Sequence, residues 1–206
     1  AVTITLAIGV NRLAQRRAII RKLPAVETLG STTVICSDKT GTMTQNQMTV
    51  QRMSTGDGLF DVTGTGYEPL GRVERAGGAV SKEMAAGVRD VLAAGALCND
   101  SLLTQEEGVW KIQGDPTEAA LLVSARKGNC PAEELSPKMP RIDVIPFESD
   151  RQYMATLHEI RDRGENRVLV KGAVERVLEL CDRQSGPGGQ EQALNHSAVL
   201  QVAESL

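Results

Sequence analysis

"ICSDKTGTMT", residues 35–44, sets an aspartate between an apolar run and the series Lys-Thr-Gly-Thr. Just upstream, "TTVICS" (32–37) is continuously β-branched and apolar, which predicts a strand buried on both faces of a parallel sheet. Asp38 then closes that strand at its carboxyl end, the edge at which open α/β sheets bind ligands. A carboxylate is a weak nucleophile, yet it attacks phosphorus when a divalent cation and fixed donors neutralise the transferring phosphoryl group. Lys39 brings positive charge, Gly41 lets backbone amides approach an anion, and the Thr40 and Thr42 hydroxyls can bond phosphate oxygens. The product, an aspartyl phosphate, is energy-rich and readily hydrolysed, so it suits a transient intermediate. The competing reading is an ordinary aspartate at a strand-to-turn junction.

Working outward, the chain has 206 residues, of which 41% are hydrophobic and only 2% aromatic. That is enough for one large or two small cores built mostly from Ala, Val, Leu and Ile. Cys36, Cys98, Cys130 and Cys181 form no CxxC pair and the histidines are His158 and His196 alone, so neither a zinc site nor a disulfide framework is expected. A reducing compartment fits best. Asn99-Asp-Ser101 and Asn195-His-Ser197 match the glycosylation triplet, a pattern short enough to arise by chance. The net charge of −3 gives no reason to expect a nucleic-acid partner.

That net charge hides an asymmetry. Residues 1–26 carry five basic and no acidic side chains, leaving 18 basic against 26 acidic, or −8, for the rest. The chain opens with "AVTITLAIGV" and runs into Arg12, Arg16, Arg17, Arg21 and Lys22. Ten apolar residues are too few to span a bilayer, which takes about 20. The basic residues follow the apolar run, the reverse of a signal peptide. An apolar half-span followed by a basic cluster reads as the cytoplasmic end of a transmembrane helix, so the chain is expected to begin inside one and to be a fragment. A surface helix with a solvated basic face is the alternative.

Beyond residue 46 the pattern changes. "MTVQRM" and "LFDVTG", separated by "TGDG", read as antiparallel strands around a glycine turn. "SKEMAAGVRDVLAAGALC" (81–98) predicts a helix with Met84, Val88, Val91 and Leu92 on one face and Ser81 as N-cap. "TEAALLVSARKG" (117–128) predicts another ending at Gly128. "RIDVIPF", "YMATLHEI" and "NRVLVKG" are strand candidates, "AVERVLELCD" a helix, "RQSGPGGQEQ" (183–192) an exposed linker-like loop, and "HSAVLQVAESL" the start of a last helix.

With these segments in view, "LPAVETLGSTTVICSDKTGTMTQNQMTV" resembles the phosphorylation site of the P-type cation-transporting ATPases. "GDPTEAALL" (114–122), "IPFESDRQYMATL" (145–157) and "VKGAVERVL" (170–178) resemble segments of that family's nucleotide-binding domain. The resemblance implies an α/β chain: the start of a haloacid-dehalogenase-like, Rossmann-like phosphorylation domain, followed by a mixed antiparallel-sheet nucleotide-binding domain with helices. It implies a division into 1–22 (end of a transmembrane helix and basic stalk), 23–46 (phosphorylation domain) and 47–206 (nucleotide-binding domain, incomplete at its carboxyl end, with a sheet edge left uncovered). Asp38 becomes the phosphorylated residue, and Asp38 with the Thr40 carbonyl would help hold Mg²⁺. ATP is the implied nucleotide. The implied cation is bound by parts absent here, the style being nearest to calcium-type or related bacterial pumps, and the parent would be a multi-pass membrane protein with this segment facing the cytoplasm. By itself the fragment is expected not to pump.

For the nucleotide, Phe147 could stack on adenine, although a Phe after Pro is more often core. Lys171 could reach a phosphate or the adenine edge, although a lysine at a strand end is more often solvated. Glu118 could accept from the adenine amino group, or merely favour a helix N-terminus. The resemblance, in which these segments form one ATP pocket, favours function for all three and makes Gly172 a place for close approach of the base. Calcium pumps of this branch commonly carry Arg two positions after the pocket Phe; Ser149 stands there, and Arg151 is the nearest substitute. Two other readings are a soluble phosphatase or phosphotransferase of the haloacid-dehalogenase type, and a nucleotide-binding module without turnover. Against the first, such enzymes usually carry an acid where Thr40 stands. The runs at 64–66 and 66–72 approach dinucleotide and Walker-A spacing but lack the required residues, Pro69 and Arg72 standing where Gly and Lys are needed, and "TGDG" (55–58) is read as a plain turn.

Overall fold

The computed structural model describes residues 2–22, 24–77 and 85–206. It divides into two units, Ala1–Gln45 and Asn46–Leu206.

The first unit holds α1 (Val2–Gln15) and α2 (Pro24–Gly30). Helix α1 ends where Arg17 takes a positive φ of 63° and the Ala18 N–H donates to the Leu13 carbonyl at 3.0 Å. Among the described residues no helix is long and apolar enough to cross a membrane. Residues 32–37 form no strand, contrary to the expectation: Val34 and Ile35 are 73% and 85% exposed. A strand exists through its ladder, and the other described elements of this unit are two helices and one turn, with no backbone edge for this run to pair with.

The second unit is a mixed α/β fold with antiparallel sheets. Strands β1 (Arg52–Thr55), β2 (Gly58–Val62) and β3 (Val73–Arg75) form a meander, with Thr55 opposite Gly58 across the two-residue turn Gly56-Asp57. Helix α3 (Ala86–Leu97) follows, then the hairpin β4 (Leu102–Glu106) and β5 (Val109–Gln113). Its turn residues Glu107 and Gly108 both have positive φ, 50° and 81°, which matches the strand twist. Helices α4 (Pro116–Lys127) and α5 (Ala132–Leu135) lead to the three-stranded sheet β6 (Arg141–Glu148), β7 (Tyr153–Ile160) and β8 (Glu165–Gly172), with β7 central. Helix α6 (Val174–Glu179), the hairpin β9 (Arg183–Ser185) and β10 (Glu191–Ala193), and helix α7 (His196–Ser205) complete the unit.

The core joins Met53, Phe60 and Val62 of the meander to Val88, Leu92 and Ala96 of α3, Leu103 of β4, and Leu122, Val123 and Ala125 of α4. On α3 the buried stripe runs at i, i+4, i+8 through 88, 92 and 96. Val91, expected on that face, is 46% exposed because it points about 100° away from Leu92. Ser81 and Met84 lie outside the described residues. The α3 and α4 backbones approach closely at Gly95, where an added Cβ would sit 3.4 Å from Leu121 Cβ.

The stretch 183–192 is a short hairpin rather than a linker. Without apolar alternation in its sequence, it is held by its own ladder, by the Arg183–Glu191 ion pair at 2.9 Å and by a tie to Asp57. The Asp57 carboxylate accepts from the Gly188 N–H at 2.7 Å and from the Gly87 N–H, in the first turn of α3, at 3.2 Å. Gly56 lets the hairpin in: a Cβ there would lie 2.0 Å from the Ser185 carbonyl oxygen.

The glycine-rich loop 63–72 closes on itself. Cβ atoms at Gly64 and Gly71 would lie 2.0 and 2.2 Å from the Leu70 and Thr63 carbonyl oxygens. Lys127, 5% exposed, donates from Nζ to the Gly64 carbonyl at 2.9 Å. Burial lowers the Lys127 pKa below 10.5, because desolvation disfavours the charged form. As pH rises toward 10.5 the folded chain therefore releases this proton before the unfolded chain does, and stability rises over that window. Urea midpoints of wild type and Lys127→Met between pH 8 and 10.5 should diverge in favour of wild type with rising pH; parallel curves would refute this assignment.

Candidate nucleotide site and the Asp38 turn

Helix α4 begins where Asp115 caps it, its Oδ1 accepting from the Thr117 and Glu118 N–H groups at 2.8 and 3.2 Å, with Pro116 at the first helical position. This is a strong start signal. Burial by itself would raise the Asp115 pKa, but the hydrogen bonds from Glu118 and Thr117, with the charge of Lys171, outweigh it and hold it below 3.8. The cap places Glu118 in the first turn.

Glu118 and Lys171, 53 residues apart, meet here. Lys171 Nζ donates to Glu118 Oε1 at 2.5 Å, the two side chains being 17% and 21% exposed for Glu and Lys. The other oxygen, Oε2, accepts from the Asp100 N–H at 3.1 Å and the Ser101 hydroxyl at 3.0 Å. Asn99 Nδ2 donates to the carbonyls of Gly95 (3.0 Å) and Glu118 (2.9 Å), fastening the end of α3 to the start of α4. Arg141, at the start of β6, pairs with Asp100 at 2.6 Å.

Beneath Lys171, Met154 is its register partner on β7, and the buried Cys98 thiol donates to the Met154 carbonyl at 3.7 Å. Burial pushes the Cys98 pKa up despite the opposing Thr156 hydrogen bond and Lys171 charge, which keeps the thiol protonated. On the other side of β7, a bulge sets Pro146 and Phe147 against Met154 alone, between the pairs Ile145–Ala155 and Glu148–Tyr153. Phe147 is 58% exposed. An open ring on a bulge offers a stacking face, a bulge being a common device for re-aiming a side chain.

Two other candidates are placed differently. Arg151 pairs with Glu148 at 3.0 Å and donates to the Pro146 carbonyl at 3.3 Å, which braces the β6–β7 turn. Gly172 faces Tyr153, and a Cβ there would lie 2.3 Å from the Gln152 carbonyl oxygen and 2.6 Å from Tyr153 Cβ. Close pairing of β7 and β8 is thus sufficient reason for its glycine.

Asp38, in the first unit, precedes one wide turn over Lys39–Met43, closed by the Thr44 N–H donating to the Lys39 carbonyl at 3.1 Å. Gly41 has φ 73°, a conformation that favours glycine. One Asp38 oxygen accepts weakly from the Thr40 N–H at 3.4 Å, and the whole turn is exposed.

Residues 87–205 match the family described as "P-type ATPase, cytoplasmic domain N". The chain belongs to the P-type ATPases. It is 52% identical over 207 residues to "Probable cation-transporting ATPase F" of Mycobacterium tuberculosis, an alignment that covers 100% of this chain and 23% of that protein. It is 48% identical over 211 residues to "Cation-transporting ATPase pma1" of Synechocystis, covering 100% and 23%. With "Calcium-transporting ATPase" of Bacillus subtilis it shares 41% over 182 residues, covering 88% and 20%. The chain thus spans less than a quarter of the length of these relatives. Within this P-type ATPase chain the matched stretch contains Glu118, Phe147, Arg151, Lys171 and Gly172, while Asp38 and Thr40 lie before it.

Sequence reasoning missed Asn99, Asp100 and Ser101, which look only like a glycosylation triplet. The signal was present: Asn, Asp and Ser crowd just after a predicted helix, where such side chains replace backbone hydrogen bonds.

Proposed function

We propose that this chain is part of an ATP-driven membrane cation pump, with ATP bound in the second unit and its γ-phosphoryl group accepted by Asp38. The carrying observation is the half-buried Glu118–Lys171 pair inside the matched domain N, which sets an anionic acceptor beside a cationic donor. An adenine has the complementary edge, an amino group beside an unprotonated ring nitrogen, and Phe147 supplies an open ring for stacking. Arg151 and Gly172 contribute through the β6–β7 turn and the β7–β8 pairing.

At Asp38 a carboxylate oxygen attacks the γ-phosphorus, an O–P bond forms, and the bond to the bridging oxygen breaks so that ADP leaves with the electron pair. Lys39 and the hydroxyls of Thr40 and Thr42 orient and neutralise the phosphate oxygens. The all-oxygen pair of Asp38 carboxylate and Thr40 carbonyl suits Mg²⁺, a hard cation that takes one or two protein ligands and completes its shell with phosphate and water. When bound, that ion neutralises charge on the transferring phosphoryl group.

Residues 1–22 are read as the cytoplasmic end of a membrane helix with its basic stalk, 23–46 as the start of a haloacid-dehalogenase-like phosphorylation domain, and 47–206 as the nucleotide-binding domain. The "Calcium-transporting ATPase" relative makes calcium-type transport the first choice of ion. Calorimetric titration of the chain with ATP tests the nucleotide assignment. ATP should bind, and Phe147→Ala should weaken binding about tenfold, or about 1.4 kcal/mol. No binding, or no effect of Phe147→Ala, would overturn it.

A further inference from the structure

One oxygen of the Glu118 carboxylate, Oε2, is tied down by the Asp100 N–H and the Ser101 hydroxyl, and Ser101 is the side chain that holds it. Ser101 is buried at 5% exposure. Its Oγ accepts from the Asp115 N–H at 2.9 Å, and its single proton can go to Glu118 Oε2 at 3.0 Å or to the Asp115 carbonyl at 3.3 Å. The shorter, charged partner takes it. Ser101 is itself fixed by its N–H donating to Asn99 Oδ1 at 2.9 Å. Gly114 makes room: with φ 120°, a Cβ there would lie 2.3 Å from Ser101 Oγ. A terminal carboxylate torsion is otherwise broad; with Oε2 tied to Ser101 and Asp100, Oε1 alone is left for Lys171 and one further donor.

We propose that Ser101 is a positioning residue that sets the base preference of the site, selecting 6-aminopurines over 6-oxopurines. This rests on the nucleotide reading above. A 6-aminopurine brings a donor to Oε1 and a ring-nitrogen acceptor to Lys171. A 6-oxopurine brings an acceptor and an N–H donor to the same two atoms, so both contacts become unfavourable. A site of matched polar groups rejects such a mismatch strongly because its own groups are left unpaired.

The test is titration of the chain with ATP and with ITP, which differ in that edge. Wild type should prefer ATP by about tenfold or more. Ser101→Ala, which frees the carboxylate to turn, should lower the preference to about threefold or less while ITP affinity changes little. Leu92→Ala, a core change elsewhere, should lower stability and leave the ratio alone. Glu118→Gln supplies an arm that does not depend on the Ser101 variant folding. With Ser101 and Asp100 holding the amide oxygen, its NH₂ faces the ligand and the ratio should shift toward ITP. An equal loss for both nucleotides in Ser101→Ala, or an unchanged ratio in Ser101→Ala and Glu118→Gln, overturns the role of Ser101 while leaving ATP binding intact. Absence of ATP binding to wild type overturns the nucleotide reading instead.

Discussion

On the proposed reading, Asp38→Asn is expected to reduce ATP-derived phosphoprotein to background in membranes from cells that express the pump. Wild type supplied with Mg²⁺ and γ-labelled ATP should form an acid-stable label that hydroxylamine releases, the behaviour of an acyl phosphate. The loss is complete because the amide has no anionic oxygen with which to attack, whatever the rest of the site does. Asp38 is exposed, and among the described residues its carboxylate has one hydrogen bond, at 3.4 Å from the Thr40 amide, and no ion pair. Label persisting in the Asn variant would move the phosphoacceptor elsewhere.

Lys171→Met should weaken ATP binding about thirtyfold, the equivalent of about 2 kcal/mol for one hydrogen bond to a charged group. Its effect on folding should be smaller. The pair is partly solvated, with exposures of 17% and 21%, so its contribution falls between that of a surface ion pair and that of a fully buried one. About 1 kcal/mol is the expected stability loss, arising mainly because Glu118 Oε1 loses its counter-charge. Lys171→Met/Glu118→Gln should recover part of that stability and none of the affinity. Calorimetry and urea midpoints on the same preparations separate the two; equal losses in both would make the pair structural.

Much of the second unit was legible because its elements are local. The strand candidates "YMATLHEI" and "NRVLVKG" appear directly as β7 and β8, and Asp115-Pro116 marks the start of α4 through capping chemistry alone. What was illegible depended on partners distant in sequence. "TTVICS" is a strand by composition, but no neighbour of it is a strand among the described residues of its unit. The hairpin at 183–193 has the composition of a linker and is tied at Gly188 to Asp57, far upstream. Gly172 shows the same limit at the site: the resemblance implied close approach of a base there, and only the folded sheet shows that a Cβ would also strike Gln152 and Tyr153. For Glu118 and Lys171 the residue types were readable; their 2.5 Å contact required the sheet to form.

The Asp57 clasp also has a consequence for biosynthesis. Its two hydrogen bonds reach forward by 30 residues to Gly87 and by 131 to Gly188. At ribosomal elongation rates of about 5–20 residues per second, Gly188 is made roughly 7–26 s after Asp57. The meander and α3 can assemble during that interval, but the carboxylate must wait with one oxygen unengaged. The last fastening of the turn is therefore a late event during translation, set by the ribosome's pace rather than by the turn's own folding rate.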